Sequence, residues 1–512
     1  MPGKPAIRPH GAGVRGVNLS RSSTLFGGPF GRIFRVVPPA DFGPDDVASL
    51  AALSNLASAM IAPPDPAKDG PDPEESGIPA AYTYLGQFID HDLTFDPASS
   101  LQRQNDPDAL VDYRTPRFDL DNVYGRGPDD QPYLYEDGRT FILGTPLTGA
   151  AANPRAKDLP RSNPASAGNP RRAIIGDPRN DENVIVSQLQ GLLHRFHNKL
   201  AADQPSWNFA RVQREVRFSY QWMVLHDFLP ALIAPDVLRQ VLPLDDNGHI
   251  IADKRNLSYF HFRDEPFMPL EFSAAAYRFG HSMVRPGYRL SETIAPLPIF
   301  AADPALDLRG FREFPSTWAI DWNLFIDLQP RDPADITRTQ LAYRIDTSLV
   351  NGLGVLPASV ASNPNILALR NLQRGWRMRL PSGQDIARAM SLEPLDDNHI
   401  LIGKFTGDPA DPLVAINTID SGFTGNCPLW TYILAETVKT TATIHTTQGD
   451  KAIDTFQLGP VGGRIVAETF LGLLLGDSSS YLSLNPLWKP SASITVNGNF
   501  GLRELIGAAL QG

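Results

Sequence analysis

Within ten residues, Gly86 to Phe95 (GQFIDHDLTF), the chain sets Asp90, His91 and Asp92 side by side between apolar Phe88, Ile89, Leu93 and Phe95. Charged groups in apolar surroundings need partners, because an unpaired buried charge is too costly to keep. On a helix, Gln87, Asp90 and His91 stand at i, i+3 and i+4 and share a face, while Asp92 points about a quarter-turn or more away. The triplet is therefore expected to serve two environments. One holds an imidazole, an amide and a carboxylate; the other receives a single carboxylate. A partly exposed helix start whose acids cap it would show the same letters.

A partner for Asp92 follows downstream. TPRFDLDNVYG puts Thr115, Arg117, Asp119 and Asp121 at every second position, so a curved loop can turn their oxygens to one centre. A hard cation such as calcium takes about six to eight oxygen ligands, and Arg117 could offer only its carbonyl. An Asp-rich surface turn is the plain alternative. In GDPRNDEN, Arg179 and Glu182 are three apart where a long helix begins, near its positive end; a capping segment with a surface ion pair reads the same. HRFH sets His194 and His197 one turn apart, a weak metal-pair spacing on an amphipathic helix that also suits structural histidines. YRFGHSMV puts His281 after the small residues Ala274 to Ala276, where a flat ligand could approach, or where a lone core histidine could sit.

Positioning these groups takes a large framework, and 512 residues supply one. Hydrophobic residues at 42% and charged residues at 20% are ordinary for a globular protein. The net charge of -10 and the lack of a basic stripe argue against nucleic acid as a partner. Cys427 is the single cysteine, which excludes an internal disulfide and a thiolate metal site. The basic start, MPGKPAIRPHGAGVRG, is not followed by an apolar h-region, so a cytoplasmic location is expected, with export by a non-classical route left open. No apolar run approaches the roughly 20 residues of a membrane span.

Apolar residues recur at helical spacing in DENVIVSQLQGLLHRFHNKLA, RVQREVRFSYQWMVLHDFLPALI, LEFSAAAYRFGHSMV, DITRTQLAYRIDTSLVNGL and GGRIVAETFLGLLLGD. Strand-like alternation is scarce, SASITVNG being one short case. The pattern predicts a mainly α protein with very little β: an arm over residues 1–45, then one large domain over 46–512 with long irregular loops, the stretch 96–175 above all.

Taken in order, GQFIDHDLTF, TPRFDLDNVYG, GDPRNDEN…LLHRFHNKLA, YRFGHSMVRP and NLQRG resemble the animal-type haem peroxidases of the peroxidase–cyclooxygenase superfamily. GPVGGRIVAETFLGLL is similar as well, and the compact, cysteine-poor form looks like the bacterial branch. The resemblance implies a mainly helical, single-domain fold around a haem b. It implies that His91 is the distal histidine, with Gln87 beside it and Arg179 as distal arginine. His281 would be the proximal iron ligand and Asn371 its hydrogen-bond partner. Asp90 and Glu182 match the carboxylates that esterify the haem, while Arg278 and Arg374 fall where propionates are paired. Asp92, Thr115, Arg117, Asp119 and Asp121 match the calcium loop. Members with a sulfonium link carry methionine after the ester glutamate; Asn183 stands there, so two esters without a sulfonium are expected and chloride oxidation is put in doubt.

The implied activity is reduction of hydrogen peroxide and, through an oxo-ferryl intermediate, oxidation of bromide, iodide, thiocyanate or phenolic donors, with a role in the response to oxidative stress. The neutral His281 with an amide partner makes the iron more oxidising than a carboxylate partner would. The expected protein is a monomer with no nucleic-acid partner and no membrane span. Two other readings belong to the same signature: a fatty-acid dioxygenase, disfavoured because Arg278 replaces the tyrosine three residues before the proximal histidine, and a non-catalytic calcium-binding adhesion or scaffold protein.

Overall fold

Helix α1 (Asp46–Ala59) begins at Asp45, whose side chain accepts the Ala48 amide, and buries Leu53 and Leu56. Strand β1 (Glu75–Pro79) leads into helix α2 (Ala81–Leu93), which carries no side-chain cap. Burial stabilises it instead: Ala81 to Leu85, Phe88, Ile89 and His91 to Leu93 are all buried, as expected of a helix surrounded by protein. The computed structural model describes residues 30–95, 114–163, 170–246, 250–263, 265–361 and 363–512.

Helix α3 (Val184–Asp203) starts where the Asn183 side chain accepts the Ile185 and Val186 amides, a strong N-cap. Its acids Asp181 and Glu182 thus fall before the helix, in and after the short 3-10 turn Pro178–Asp181. Helix α4 (Phe209–Met223) runs on through one π turn, Val224–Phe228, which brings Phe228 to the cavity described below. Helix α2 packs on α3, and the turn Ala276–His281 packs on α2. Strand β2 (Leu341–Tyr343), helix α5 (Leu367–Arg377), strands β3 (Val438–Thr446) and β4 (Gly449–Gln457), and helices α6 (Pro460–Gly476) and α7 (Leu502–Gln511) complete the frame. Helix α7 packs on α3, and α1 on α5. One large apolar cluster extends through these elements.

The mainly helical architecture with long connections agrees with the sequence. Among the described residues every sheet has two strands. Three local expectations are corrected. DITRTQLAYRIDTSLVNGL is not a helix: Leu341 to Tyr343 pair antiparallel with β1, and only Asn351–Gly354 is helical. LEFSAAAYRFGHSMV is not one helix either, because Ala275 (φ -140°, ψ -70°) separates the short helix Leu270–Ser273 from the 3-10 turn. SASITVNG forms only an isolated bridge, Val496 to Asn499. The substantial β element is the antiparallel hairpin β3–β4, whose first strand, rich in threonine, carries the β-branched residues that favour pleated surfaces.

Residues 30–45 lie against the body. Phe30, Phe34 and Phe42 are buried, and the Glu271 carboxylate accepts the Ile33 and Phe34 amides. The rest of the expected arm, residues 1–29, lies outside the described residues. No described helix is long and apolar enough to cross a membrane.

Candidate functional site

Helix α2, the segment 182–183, the π turn and the 276–284 stretch enclose a cavity of about 710 Å³. Its size is that of a cofactor or ligand site. Gln87, Asp90 and His91 line it from one helix face, as their spacing predicts, together with Tyr82, Thr83 and Gly86. Asp92 turns away and is fully buried elsewhere.

His91 is held at Nδ1 and faces a more distant carboxylate at Nε2. Its Nδ1 lies 2.7 Å from Asn180 Oδ1, and its Nε2 lies 3.7 Å from Glu182 Oε1. Gln87 donates through Nε2 to Glu182 Oε1 and accepts at Oε1 from Asn183 Nδ2 (3.0 Å). Asn183 therefore caps α3 with its oxygen and orients Gln87 with its nitrogen. Asp90 is tied at the helix end, where Thr94 Oγ1 donates to its Oδ1 (3.1 Å).

The second histidine enters from the 3-10 turn. His281 Nδ1 stands 2.8 Å from Asn371 Nδ2 on α5, and a half-turn of that amide presents its oxygen instead. Burial, reinforced by Arg278, pushes His281 down to about 4, so the ring is neutral at physiological pH. Arg278 donates to the Ser273 carbonyl (3.0 Å) and, at 3.4 Å, to Asn371 Oδ1. Burial and then the nearby Arg374 push the Arg278 guanidinium down to about 10, which marks a buried concentration of positive charge. Such a place favours an anionic group.

Much of the remaining wall is apolar, from Ile299, Phe300, Leu308, Phe311, Leu353 and Leu356, with Arg309 and Arg312 set among them.

On the other side of α2, carboxylate oxygens of Asp92, Asp119 and Asp121 lie within 4.8 Å of one another. Both Asp92 oxygens are buried without a well-formed hydrogen bond. Burial, then Asp119 and Asp121, raise the Asp92 carboxyl far above its usual range. Thr115 Oγ1 donates to Asp119 Oδ2 (2.7 Å), and the Asp121 amide donates to Asp119 Oδ1 (3.1 Å). Leu120 adopts a left-handed conformation (φ 57°) that turns the loop into the helical turn Asp121–Tyr124. Arg117 is half-buried in the same loop, its amide bonded to the Thr115 carbonyl (2.7 Å). The cluster is a crowded set of acids that a divalent cation would neutralise.

Arg179 stands elsewhere than the sequence pattern suggests. It does not line the cavity. Its guanidinium pairs with Asp177 (2.7 Å) and donates to the carbonyls of His91 (3.0 Å) and Thr94 (2.7 Å), bracing the C-terminal end of α2. Asp177 also pairs with Arg114, which reaches Asp121 at 3.1 Å. Burial alone would raise the Asp177 carboxyl, but Arg114 and Arg179 outweigh it and hold it below the usual carboxylate range. Asp121, Arg114, Asp177 and Arg179 thus form one alternating line of charge between the acid cluster and the back of His91. Arg374 lies one turn beyond Asn371 on α5, near Arg278.

The remaining histidines of HRFH are structural. His197 donates through Nε2 to the Arg139 carbonyl (2.8 Å) and, when neutral, accepts at Nδ1 from Tyr124 Oη (2.9 Å), while His194 stacks on Phe141 and meets Gln190. Sequence reasoning did not single out Asn180, Asp177 or Arg114. Only Asn183 carried a readable signal, an asparagine just before an apolar run.

Residues 99–308 match the animal haem peroxidase family. The matched stretch contains Arg179, Glu182 and His281; His91 and Asn371 lie outside it. Among curated proteins, the chorion peroxidase of Aedes aegypti is 29% identical over 210 residues, 38% of this chain and 24% of that protein. Human myeloperoxidase is 26% identical over 133 residues, 24% of this chain and 16% of that protein. The matches thus span a quarter or less of these relatives' length. Peroxidase A from Dictyostelium discoideum superposes with a TM-score of 0.57 at 16% identity, covering 96% of this chain and 94% of that one. A fatty acid alpha-dioxygenase from Arabidopsis thaliana gives 0.51 at 14% identity, covering 93% and 74%. At these identities the structural likeness speaks for the fold alone.

Proposed function

Because residues 99–308 match the animal haem peroxidase family, we propose that this chain is a member of it that reduces hydrogen peroxide at a haem held in the cavity and oxidises bromide, iodide, thiocyanate or small phenols. The observation that carries this reading is that His91 and His281, from separate elements, line the same cavity. The residues fit a haem: a neutral imidazole to bind iron, Arg278 and Arg374 to meet propionates, carboxylates of Asp90 and Glu182 to hold the ring edge as esters, and apolar walls for its faces. When bound, the haem supplies the redox iron that accepts peroxide oxygen.

The protein's own groups do the rest. With Nδ1 facing the Asn180 oxygen, His91 keeps a bare Nε2 toward the cavity, which takes the proton from one peroxide oxygen and returns it to the other. Gln87, fixed by Glu182 and Asn183, offers an amide to the same space. Esterification of Glu182 would remove a negative charge 3.7 Å from His91 Nε2. Arg179 fixes the His91 backbone; to reach peroxide, its side chain must leave Asp177. His281 keeps its proton on Nδ1 when Nε2 ligates, so Asn371 then presents its oxygen. A calcium ion would be held by Asp92, Asp119, Asp121 and the Thr115 and Arg117 loop oxygens, clamping the end of α2. Arg278 stands where the dioxygenase alternative needs tyrosine, which favours the peroxidase.

The test is the absorbance of the haem-supplied protein before and after equimolar peroxide, then bromide. A Soret band that changes with peroxide and recovers with bromide supports the whole reading. Recovery with a phenol alone would remove the halide from it. No haem uptake would leave only the acid cluster as a cation site.

A further inference from the structure

Behind His91 runs a line of buried amides. Its Nδ1 lies 2.7 Å from Asn180 Oδ1; Asn180 Nδ2 donates to Gln190 Oε1 (2.9 Å); and Gln190 Nε2 lies 2.9 Å from His194 Nε2. Asn180 and Gln190 are completely buried, and His194 is 1% exposed. We propose that Asn180 is a positioning residue that fixes the tautomer of His91, so that Nε2 is bare on the cavity side. The inference rests on the proposed role of His91 as the proton carrier.

A neutral imidazole has one donor and one acceptor nitrogen, and an amide has one end of each kind. Because the nitrogen end of Asn180 is used on Gln190, its oxygen is left for His91, and a ring nitrogen facing an oxygen must carry the proton. The same logic continues at the far end, where Gln190 donates to His194. Burial keeps His194 neutral, pushing it down to about 3, so one ring nitrogen is free to accept, and Nε2 is that nitrogen when the proton sits on Nδ1. Run in the opposite sense, the line would put the proton on His91 Nε2 and leave that atom unable to accept one. Asn180 can play this part because it sits in the 3-10 turn before α3, where Asp177 accepts the Arg179 amide and fixes the turn.

The test uses the haem-loaded protein and two readouts: reaction with peroxide, and association of cyanide. Hydrogen cyanide arrives protonated and binds iron as the anion, so its association rate reports a bare Nε2 without any donor oxidation. Asn180→Leu is expected to slow both by about 10-fold or more, with haem uptake and cyanide dissociation unchanged. Asn180→Asp, whose carboxylate can only accept, is expected to stay within about threefold of the parent. If the leucine variant does not fold, Asn180→Ala carries the same comparison.

His91→Leu separates the two readings. Slow cyanide association in His91→Leu together with parental rates in Asn180→Leu would overturn the inference and leave the function standing. Parental rates in His91→Leu would remove the proton-carrier role and the inference with it. A rise in association of about 10-fold in Asn180→Asp would show that the line runs in the opposite sense and also overturn it.

Discussion

His91 and Asp92 are consecutive residues that serve opposite surroundings: His91 lines the cavity, and Asp92 closes on Asp119 and Asp121 behind it. A cation bound to the acids should therefore be felt both in stability and at the histidine. At a free calcium level of 100 times Kd, stabilisation of about 2.7 kcal/mol is expected. Asp119→Asn should abolish most of it, as thermal unfolding with calcium and with chelator will show. Chelation should also slow the reaction with peroxide; an unchanged rate would show that the acids do not position His91.

Acid should destabilise the fold through two histidines that perform no chemistry. Burial lowers His194 to about 3 and His197 to about 4, against 6.5 for an exposed ring. Their folded values lie below the unfolded one, so the unfolded chain binds protons first. Stability is complete above 6.5 and is lost as pH falls toward 4. Each group costs on the order of 2 kcal/mol by pH 5. Urea unfolding at pH 7 and pH 5 measures the loss, and His194→Gln should remove about half of the share due to this pair.

Asp177 joins two arginines in the interior. Asp177→Asn leaves Arg179 without its carboxylate and Arg114 with Asp121 alone, and breaking a buried pair costs about 3–5 kcal/mol. Denaturant unfolding should register that loss. The same change frees Arg179 from its partner, so the reaction with peroxide should change in rate even where haem uptake does not.

Asp90 and Glu182 both face the cavity, and each should form one covalent link to haem once peroxide has been turned over. Acidic organic solvent should then leave haem on the parent protein. Asp90→Ala and Glu182→Gln should each retain it through one bond, and the double variant should release it. Intact mass measurement distinguishes these states. Haem lost from the parent would show that no ester forms.

Much of this arrangement was legible in the chain. The i, i+3, i+4 relation of Gln87, Asp90 and His91 survives because α2 is a regular helix, and Thr115, Asp119 and Asp121 do come together. Arg179 was misleading for a local reason: Asp177, two residues earlier, captures its guanidinium, and no spacing rule weighs a competing carboxylate. Asn180 carries no signature at all, since its partners lie 89 residues back and 10 forward. The hairpin β3–β4 was hidden by polar threonines, because both its faces are largely exposed and no apolar alternation is required. Around strand β2 the apolar residues follow helical spacing, while its pairing with β1 depends on residues far away.

The span of the chain that builds the cavity has a consequence for biosynthesis. His91 meets Asn180 across 89 residues, and His281 meets Asn371 across 90. An emerging chain thus holds the first half-pocket for a long interval before the second exists, and such non-local closure is slow. The turn that carries His281 gains its amide only after residue 371 has been made. On the proposed function, haem capture follows most of translation, and the yield of loaded protein should depend on haem supply late in synthesis, when the apolar walls are otherwise exposed to aggregation.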